Sequence, residues 1–146
     1  MTEIIERVET IFSELGYDIF DQEETDEMYQ ASFRKDERFQ GSFFIENGNN
    51  FLELVYTYTF DIDEENFLKE HLEPMMDICY EYGSYFNILK GNDEINFSVF
   101  GKLYFSGLNV ESLGDTLEDF TECNQELVLV FELEEVDHNN DFEDVD

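Results

Sequence analysis

The sequence is poor in positive charge. Only 7 Lys and Arg residues accompany 38 Asp and Glu residues, which gives a formal net charge of -31 at pH 7. Duplex or single-stranded nucleic acid would be repelled, because binding it requires Lys and Arg to displace counterions from phosphates. Anionic membrane surfaces would be repelled for the same reason. We therefore expect neither nucleic acid nor a membrane as a partner.

Long apolar runs are absent as well, and the chain has 1 proline and 2 cysteines. No run approaches the roughly 20 apolar residues that a membrane helix needs, and the first residues lack the basic start and apolar stretch of a secretory signal. These absences predict a cytoplasmic protein. Cys79 and Cys123 both fall in predicted helices. In a cytosolic chain such residues are more often small buried hydrophobes than halves of a disulfide.

The residues that are present suffice for a core, since 42% are hydrophobic and 16% are aromatic. A chain of this length can bury roughly two thirds of the surface that its unfolded state exposes. We therefore predict one folded acidic α+β domain, residues 1–131. The tail that follows, residues 132–146, holds eight carboxylates and no Lys or Arg. Its low hydrophobicity and high charge predict disorder.

Hydrophobic periodicity predicts an alternation of helices and strands. Helical spacing indicates a first helix that ends at Gly16, a second that Pro74 must kink or divide, and a third that begins at Asn109. Period-two alternation indicates strands. The five predicted strands contain residues 29–33, 39–45, 52–60, 85–90 and 95–105. The predicted fold is α-β-β-β-α-β-β-α, with one antiparallel five-stranded sheet and helices packed on it.

Three local features complete this prediction. Residues 21–27 are expected to form an acidic loop. Residues 34–38, which include three of the basic side chains, are interpreted as a hairpin turn rather than an anion site. Gly101, within the last strand, is expected to mark a β-bulge.

One acidic stretch, residues 61–65, resembles the start of a calcium-binding loop. An EF-hand would need glycine where Asn66 stands and a bidentate glutamate where Leu72 stands. The stretch is better explained as the end of a strand followed by a helix N-terminus, where carboxylates favour the helix dipole. No metal ligands are predicted.

The sequence also lacks a catalytic constellation. His71 and His138 are the only histidines, and a reactive cysteine beside either would need a positive local field. The glycines occur singly, so no phosphate-binding loop is present. We expect no catalytic residues and no cofactor, because nothing supplies a nucleophile, an oxyanion donor set or a metal.

The most suggestive feature is the second face of the two last strands. The residues that alternate with the core positions there make a face too aromatic for ordinary exposure, and such patches often mark protein contacts. The predicted partner-binding residues are Tyr85, Leu89, Phe100 and Tyr104. Coverage by one of the chain's own helices is the alternative, and the sequence does not decide between the two.

Three segments, residues 11–17, 80–86 and 106–111, carry a family resemblance. Together with the order of elements, they make residues 4–131 resemble the family that joins class I type III secretion chaperones with the bacterial YbjN-type proteins. The resemblance implies a small acidic α+β protein that dimerises and holds a partner chain through apolar surface on its helix and sheet. Secretion chaperones have no catalytic residues to carry over.

Two functional hypotheses follow. The first is a non-enzymatic, chaperone- or adaptor-like module, a homodimer that binds another protein through the aromatic sheet face and the first helix. The second is a nucleic-acid mimic, whose carboxylates would occupy a DNA- or RNA-binding protein. Affinity would fall steeply with salt in the second case and weaken little in the first.

Overall fold

A computed structural model describes the backbone of residues 1–145 and the side chains of residues 1–133. The helices are α1 (Thr2–Glu14), α2 (Glu65–Glu70), α3 (Leu72–Glu81) and α4 (Val110–Val145). The strands are β1 (Asp18–Glu24), β2 (Met28–Lys35), β3 (Arg38–Glu46), β4 (Phe51–Asp61), β5 (Tyr85–Lys90) and β6 (Glu94–Tyr104). The predicted disordered tail, residues 132–146, falls almost wholly outside the described side chains and stays a prediction.

The strands form one sheet in the order β1-β2-β3-β4-β6-β5. Every neighbouring pair is antiparallel. A mixed α and β fold with an antiparallel sheet is therefore confirmed. The number of strands and the order of elements were wrong, since the sheet has six strands rather than five and the observed order is α-β-β-β-β-α-α-β-β-α.

The strand that the sequence did not predict is β1, which occupies part of the predicted acidic loop. Its alternation is broken, because the register with β2 shifts between Phe20 and Glu23, and Asp21 adopts a positive φ of 52°. Most of its side chains are exposed carboxylates. An edge strand tolerates such residues, since only one side of its backbone must be paired and its charges discourage pairing with other chains.

The expected interruption at Pro74 is confirmed. α2 ends at Glu70, and α3 begins at Leu72. Pro74 therefore lies in the first turn of α3, where a missing backbone N–H removes no helical hydrogen bond.

Gly101 does not mark a bulge, because the register of β4 with β6 is continuous and places Gly101 opposite Leu54. A Cβ atom at Gly101 would lie 3.2 Å from Cδ1 of Phe120 on α4. The glycine is explained by the close approach of this helix to the sheet.

The hairpin at residues 34–38 is confirmed. β2 and β3 are joined by Asp36 and Glu37, whose φ angles are 54° and 64°. Positive φ at both central residues is the type I′ geometry, whose twist matches that of antiparallel strands.

The core lies between one face of the sheet and the helices. α1 contributes Phe12, α3 contributes Met75, and α4 contributes Leu117, and all three are fully buried. The buried strand residues share this face: Tyr29, Ala31, Phe33, Phe43, Ile45, Leu52, Leu54, Ile95, Phe97 and Val99. Because α1 directs its apolar side into this core, the expected contact through α1 would use its exposed side, and it stays a prediction. In the described part of the chain, no helix is long and apolar enough to cross a membrane.

Candidate functional site

The face of the sheet opposite the core, here called the outer face, has no helix packed on it among the described residues. Its side chains alternate with the buried ones, and none of them is fully buried. This answers the question that the sequence left open, since the described helices all pack on the other face. The outer face is the candidate functional site.

Two pairs of aromatic rings form the centre of this site. Tyr85 of β5 stacks on Phe100 of β6, with ring centroids 5.3 Å apart. Phe51 of β4 meets Tyr104 of β6 edge to face, with centroids 5.8 Å apart. Strand register creates both pairs, since Tyr85 lies opposite Phe100 and Phe51 lies opposite Tyr104. We call these four residues the aromatic cluster.

Lys102 joins the two pairs. Its Nζ lies 4.2 Å from the ring centroid of Phe51 and 5.8 Å from that of Tyr85. An ammonium group over an aromatic face is attracted by the ring quadrupole. Lys102 therefore covers part of the cluster with its aliphatic stem while its charge stays at the surface.

Glu53 is the carboxylate that faces this lysine. It lies opposite Lys102 in the register of β4 with β6, and it accepts a hydrogen bond from the Tyr85 hydroxyl. Burial raises the pKa of Glu53 above its usual value, and the nearby charge of Lys102 opposes this rise. Glu53 thus has the Tyr85 hydroxyl as a hydrogen-bond partner, and Lys102 has the rings of Phe51 and Tyr85 beside it.

Beyond the cluster, the outer face carries hydroxyl and amide groups that bond to each other across strands. The hydroxyl oxygens of Thr57 and Ser98 lie 2.8 Å apart, and the Thr59 hydroxyl donates to Oδ1 of Asn96 at 3.0 Å. Away from the strand ends, Glu53 and Lys102 are the only charged side chains on this face of β3, β4, β5 and β6. A face of such low charge is unusual in a chain of net charge -31.

Three of the predicted partner-binding residues, Tyr85, Phe100 and Tyr104, lie in this cluster. Leu89 also points outward and is 64% exposed. However, it lies four residues from Tyr85 along β5, about 13 Å at the usual strand rise. The structure places Leu89 on the same face but apart from the cluster.

Sequence reasoning missed Phe51 and did not single out Glu53. The alternation of β4 was recognised from Leu52 onward, and extending that strand by one residue would have put Phe51 on the outer face. The pairing of Glu53 with Lys102 could not be found, because it depends on the register between strands far apart in the sequence.

Other groups considered from the sequence have structural partners. Glu65 forms ion pairs with two lysines. Its Oε1 lies 2.9 Å from Nζ of Lys69, and its Oε2 lies 2.7 Å from Nζ of Lys90. These two lysines lower the pKa of Glu65 to about 2. His71 lies at the break between α2 and α3, with Nδ1 2.8 Å from the carbonyl oxygen of Phe67. Among the described residues, no group of three or more His, Cys, Asp or Glu side chains could hold a metal ion.

The two cysteines are free and buried, as predicted. Their sulfur atoms lie 3.9 Å apart between α3 and α4. The contact with Cys123, together with burial, raises the pKa of the Cys79 thiol. A thiol held neutral in this way is a poor nucleophile, which fits a packing role for Cys79.

Comparison with known proteins gives a likeness of fold and no family. No family model matches the chain, and no curated protein matches it. The crystal structure of an uncharacterized protein from Methanothermobacter thermautotrophicus superimposes with a TM-score of 0.67 at 11% sequence identity. The match covers 87% of this chain and 96% of the archaeal chain. At that identity the likeness concerns the fold alone.

Proposed function

We propose that the protein is a non-enzymatic binding module, chaperone- or adaptor-like, that holds a partner polypeptide against the outer face of its sheet. The observation that carries this proposal is the aromatic cluster, which no described helix covers. Tyr104 is 51% exposed and Tyr85 is 41% exposed. Aromatic residues concentrated in a patch of low charge are characteristic of the centres of protein interfaces.

The polar groups of the site also suit a polypeptide ligand. Glu53 already accepts a hydrogen bond from the Tyr85 hydroxyl. Lys102 lies over aromatic rings and forms no ion pair among the described residues. An unpaired charge in a buried interface costs several kcal/mol in typical cases. A partner that covers the cluster would therefore supply an acceptor for Lys102, which a backbone carbonyl of a polypeptide provides.

The resemblance to secretion chaperones and YbjN-type proteins supports the same proposal, because it implies partner binding without catalysis. If the protein forms a homodimer through this face, the contact is isologous and the second copy is itself the partner. Each copy would bring a net charge of -31. We therefore expect salt to promote dimerisation by screening the repulsion.

The test replaces Phe100 and Tyr104 together with serine and captures partners from native lysate at physiological salt. The control is Tyr80→Ser, which removes an aromatic residue of α3 that is 88% exposed on the helical side. We expect the double variant to lose the partner, or its dimeric state in sedimentation, while the Tyr80 variant keeps both. If the double variant folds and retains every interaction, the proposal must be abandoned.

The second candidate, a nucleic-acid mimic, is favoured by the outward side of α4. Exposed carboxylates recur along it at helical spacing: Glu111, Asp115, Glu118, Asp119 and Glu122. Residues four apart on a helix are separated by about 6 Å along its axis. If this row is the binding surface, capture will be lost when the salt concentration is raised, and the Phe100 and Tyr104 variant will bind normally.

A further inference from the structure

β3 and β4 separate halfway along the sheet. Their pairing joins residues 42–45 of β3 to residues 52–55 of β4. β4 stays paired with β6 over its full length, from Phe51 to Asp61. Within the described residues, the segment 56–61 of β4 therefore has a strand on one side only. This leaves an open backbone edge inside a six-stranded sheet, about 20 Å long at the usual strand rise.

The separation has a local cause in the β2-β3 hairpin. The register of the hairpin shifts between Phe33 and Arg34, and such bulges bend and twist the strand that carries them. Gly41 lies where the strands part, with a φ of 147°. A Cβ atom there would lie 2.9 Å from the carbonyl oxygen of Val55. The gap is therefore built by the hairpin and does not depend on a partner being present.

A groove runs beside this edge, between the sheet and α4. It consists of three adjoining cavities of about 430, 320 and 430 Å³. The first two share Gln40, Thr121 and Gln125, and the last two share Tyr58 and Val128.

Aromatic rings form the floor of the groove in an unbroken row. Centroid distances are 5.5 Å from Phe39 to Tyr56, 4.8 Å from Tyr56 to Tyr58 and 5.0 Å from Tyr58 to Phe131. The Tyr58 hydroxyl donates to Oδ1 of Asn124 on α4 at 2.8 Å. This bond links β4 to α4, so the groove between them is already formed in the unbound protein.

The wall is a single face of α4. The residues that line it there are Glu118, Thr121, Glu122, Gln125, Val128 and Glu132. The first cavity lies against the β2-β3 hairpin, and α4 lines the two cavities beside the open edge from Thr121 to Glu132, a length of about 17 Å. The lining holds four carboxylates, Glu64, Glu118, Glu122 and Glu132, against two basic side chains, Lys35 and Arg38 on the hairpin side, so its rim is negative on balance. Such a rim favours Lys or Arg in a ligand and disfavours a second copy of this acidic chain.

We propose that the open edge of β4, residues 56–61, binds an extended basic segment of a partner polypeptide by strand addition. The segment forms a ladder of backbone hydrogen bonds with β4, as in other strand-addition complexes. Successive side chains of the segment point to opposite faces of the sheet, so every second one enters the groove. Of these, apolar side chains lie on the aromatic floor, and Lys or Arg side chains face the carboxylates that line the groove. This inference shares with the proposed function only the assumption that the ligand is a polypeptide, since it concerns the opposite face of the sheet.

The edge itself has the features of a binding edge rather than a protected one. Natural edge strands are usually blunted by lysine, proline, a bulge or a covering segment. Residues 56–61 contain no lysine and no proline, and their register with β6 is regular.

The probe is a fluorescent peptide of about ten residues, long enough to span the open edge, in which every second residue is threonine and the positions between are alternately valine and lysine. Valine and lysine then share one face of the bound strand, the face toward the groove. Binding is measured by anisotropy at about 0.15 M salt. The disruptive variant is Val128→Lys, and the control is Val110→Lys, because the two valines lie on the same helix and are 37% and 39% exposed. We expect Val128→Lys to weaken binding by at least about tenfold, which corresponds to about 1.4 kcal/mol. Val110→Lys should change it less than about twofold, or about 0.4 kcal/mol.

Two N-methylated peptides test the backbone ladder. One carries methyl groups on its threonine nitrogens and the other on its valine and lysine nitrogens. In strand addition, only one of these alternating sets faces β4. We expect one methylated peptide to lose binding and the other to retain it. On binding of the unmodified peptide, hydrogen exchange should slow within residues 56–61.

Several results would overturn the inference. The unmodified peptide could fail to bind, or both lysine substitutions could weaken its binding equally. The two methylations could have equal effects, or hydrogen exchange could fail to slow in residues 56–61.

Loss of binding in the Phe100 and Tyr104 serine variant alone would place the peptide on the outer face instead. If the wild-type protein is a dimer and Val128→Lys converts it to a monomer, the occupant of the open edge is a second copy of this chain. If the peptide results hold while the outer-face variant keeps all partners, the proposed function fails and this inference stands.

Discussion

Glu53 shows how a single side chain is tuned by its position on the outer face. Burial raises its pKa, so the folded protein takes up a proton at this site more readily than the unfolded chain does. The ionised carboxylate therefore costs stability at neutral pH, and that cost disappears as the pH falls through the folded-state pKa.

We predict that Glu53→Gln increases the free energy of unfolding at pH 7. The glutamine keeps an acceptor for the Tyr85 hydroxyl and removes the charge, and a gain of about 0.5 kcal/mol is expected once solvent screening is allowed for. The control is Glu23→Gln on β1, which removes an exposed carboxylate and reports the effect of net charge alone. Urea unfolding of both variants provides the measurement. Equal gains in the two variants would contradict the account.

Glu65 is the opposite case, since the hydrogen bonds from Lys90 and Lys69 lower its pKa from 4.5 to about 2. A lowered pKa contributes stability that is present above the unfolded value and is lost as the pH falls toward the folded value. We predict that Glu65→Gln lowers the thermal midpoint at pH 7, and that the difference from wild type closes between about pH 4.5 and pH 2. A difference that stays constant over this range would show that the lysines do not stabilise the carboxylate.

At the scale of elements, the packing of α4 on β6 depends on the absence of a side chain at Gly101. We predict that Gly101→Ala destabilises the protein by about 1–3 kcal/mol, because the added methyl group must displace the Phe120 ring. Gly107→Ala is the matched control, since a Cβ atom there meets nothing within 4 Å. Denaturant unfolding should separate the two variants. Similar stabilities would mean that α4 can shift without cost.

The sequence predicted those elements whose pattern is local. The alternation of β4 and β6 separated core residues from outward ones, and adjacency in a predicted hairpin placed Tyr85 beside the strand of Phe100. β1 was missed because Ile19 is its one apolar residue packed against the core, which leaves no hydrophobic alternation to detect. The gap between β3 and β4 was also missed, because it arises from a register shift and a close backbone contact at Gly41, which no local pattern records.

At the scale of the whole molecule, the excess of acidic residues is the dominant electrostatic fact. Self-repulsion destabilises a compact state of net charge -31. We predict that raising the salt concentration from about 0.01 M to about 0.5 M increases the thermal midpoint by about 5 °C. Sodium chloride and choline chloride should act alike, because screening depends on ionic strength. Stabilisation by one cation only would indicate a specific cation site instead.

The division of the molecule into a helical face and an outer face gives the account its central claim. One face of the sheet builds the core, and the other is the binding surface in the proposed function, so exposed aromatic residues on the two sides should behave differently in the cell. Tyr104 lies on the outer face, and Tyr80 lies on the helical side with greater exposure. Exposure alone would therefore favour contacts at Tyr80.

The most direct test places a photo-cross-linking amino acid at Tyr104 or at Tyr80 and irradiates intact cells. We predict that Tyr104 gives a discrete cross-link to a second polypeptide, whether a partner or another copy of this chain, and that Tyr80 gives none. Cross-links of equal yield at both positions, or a cross-link at Tyr80 alone, would contradict the claim that the outer face is the binding surface.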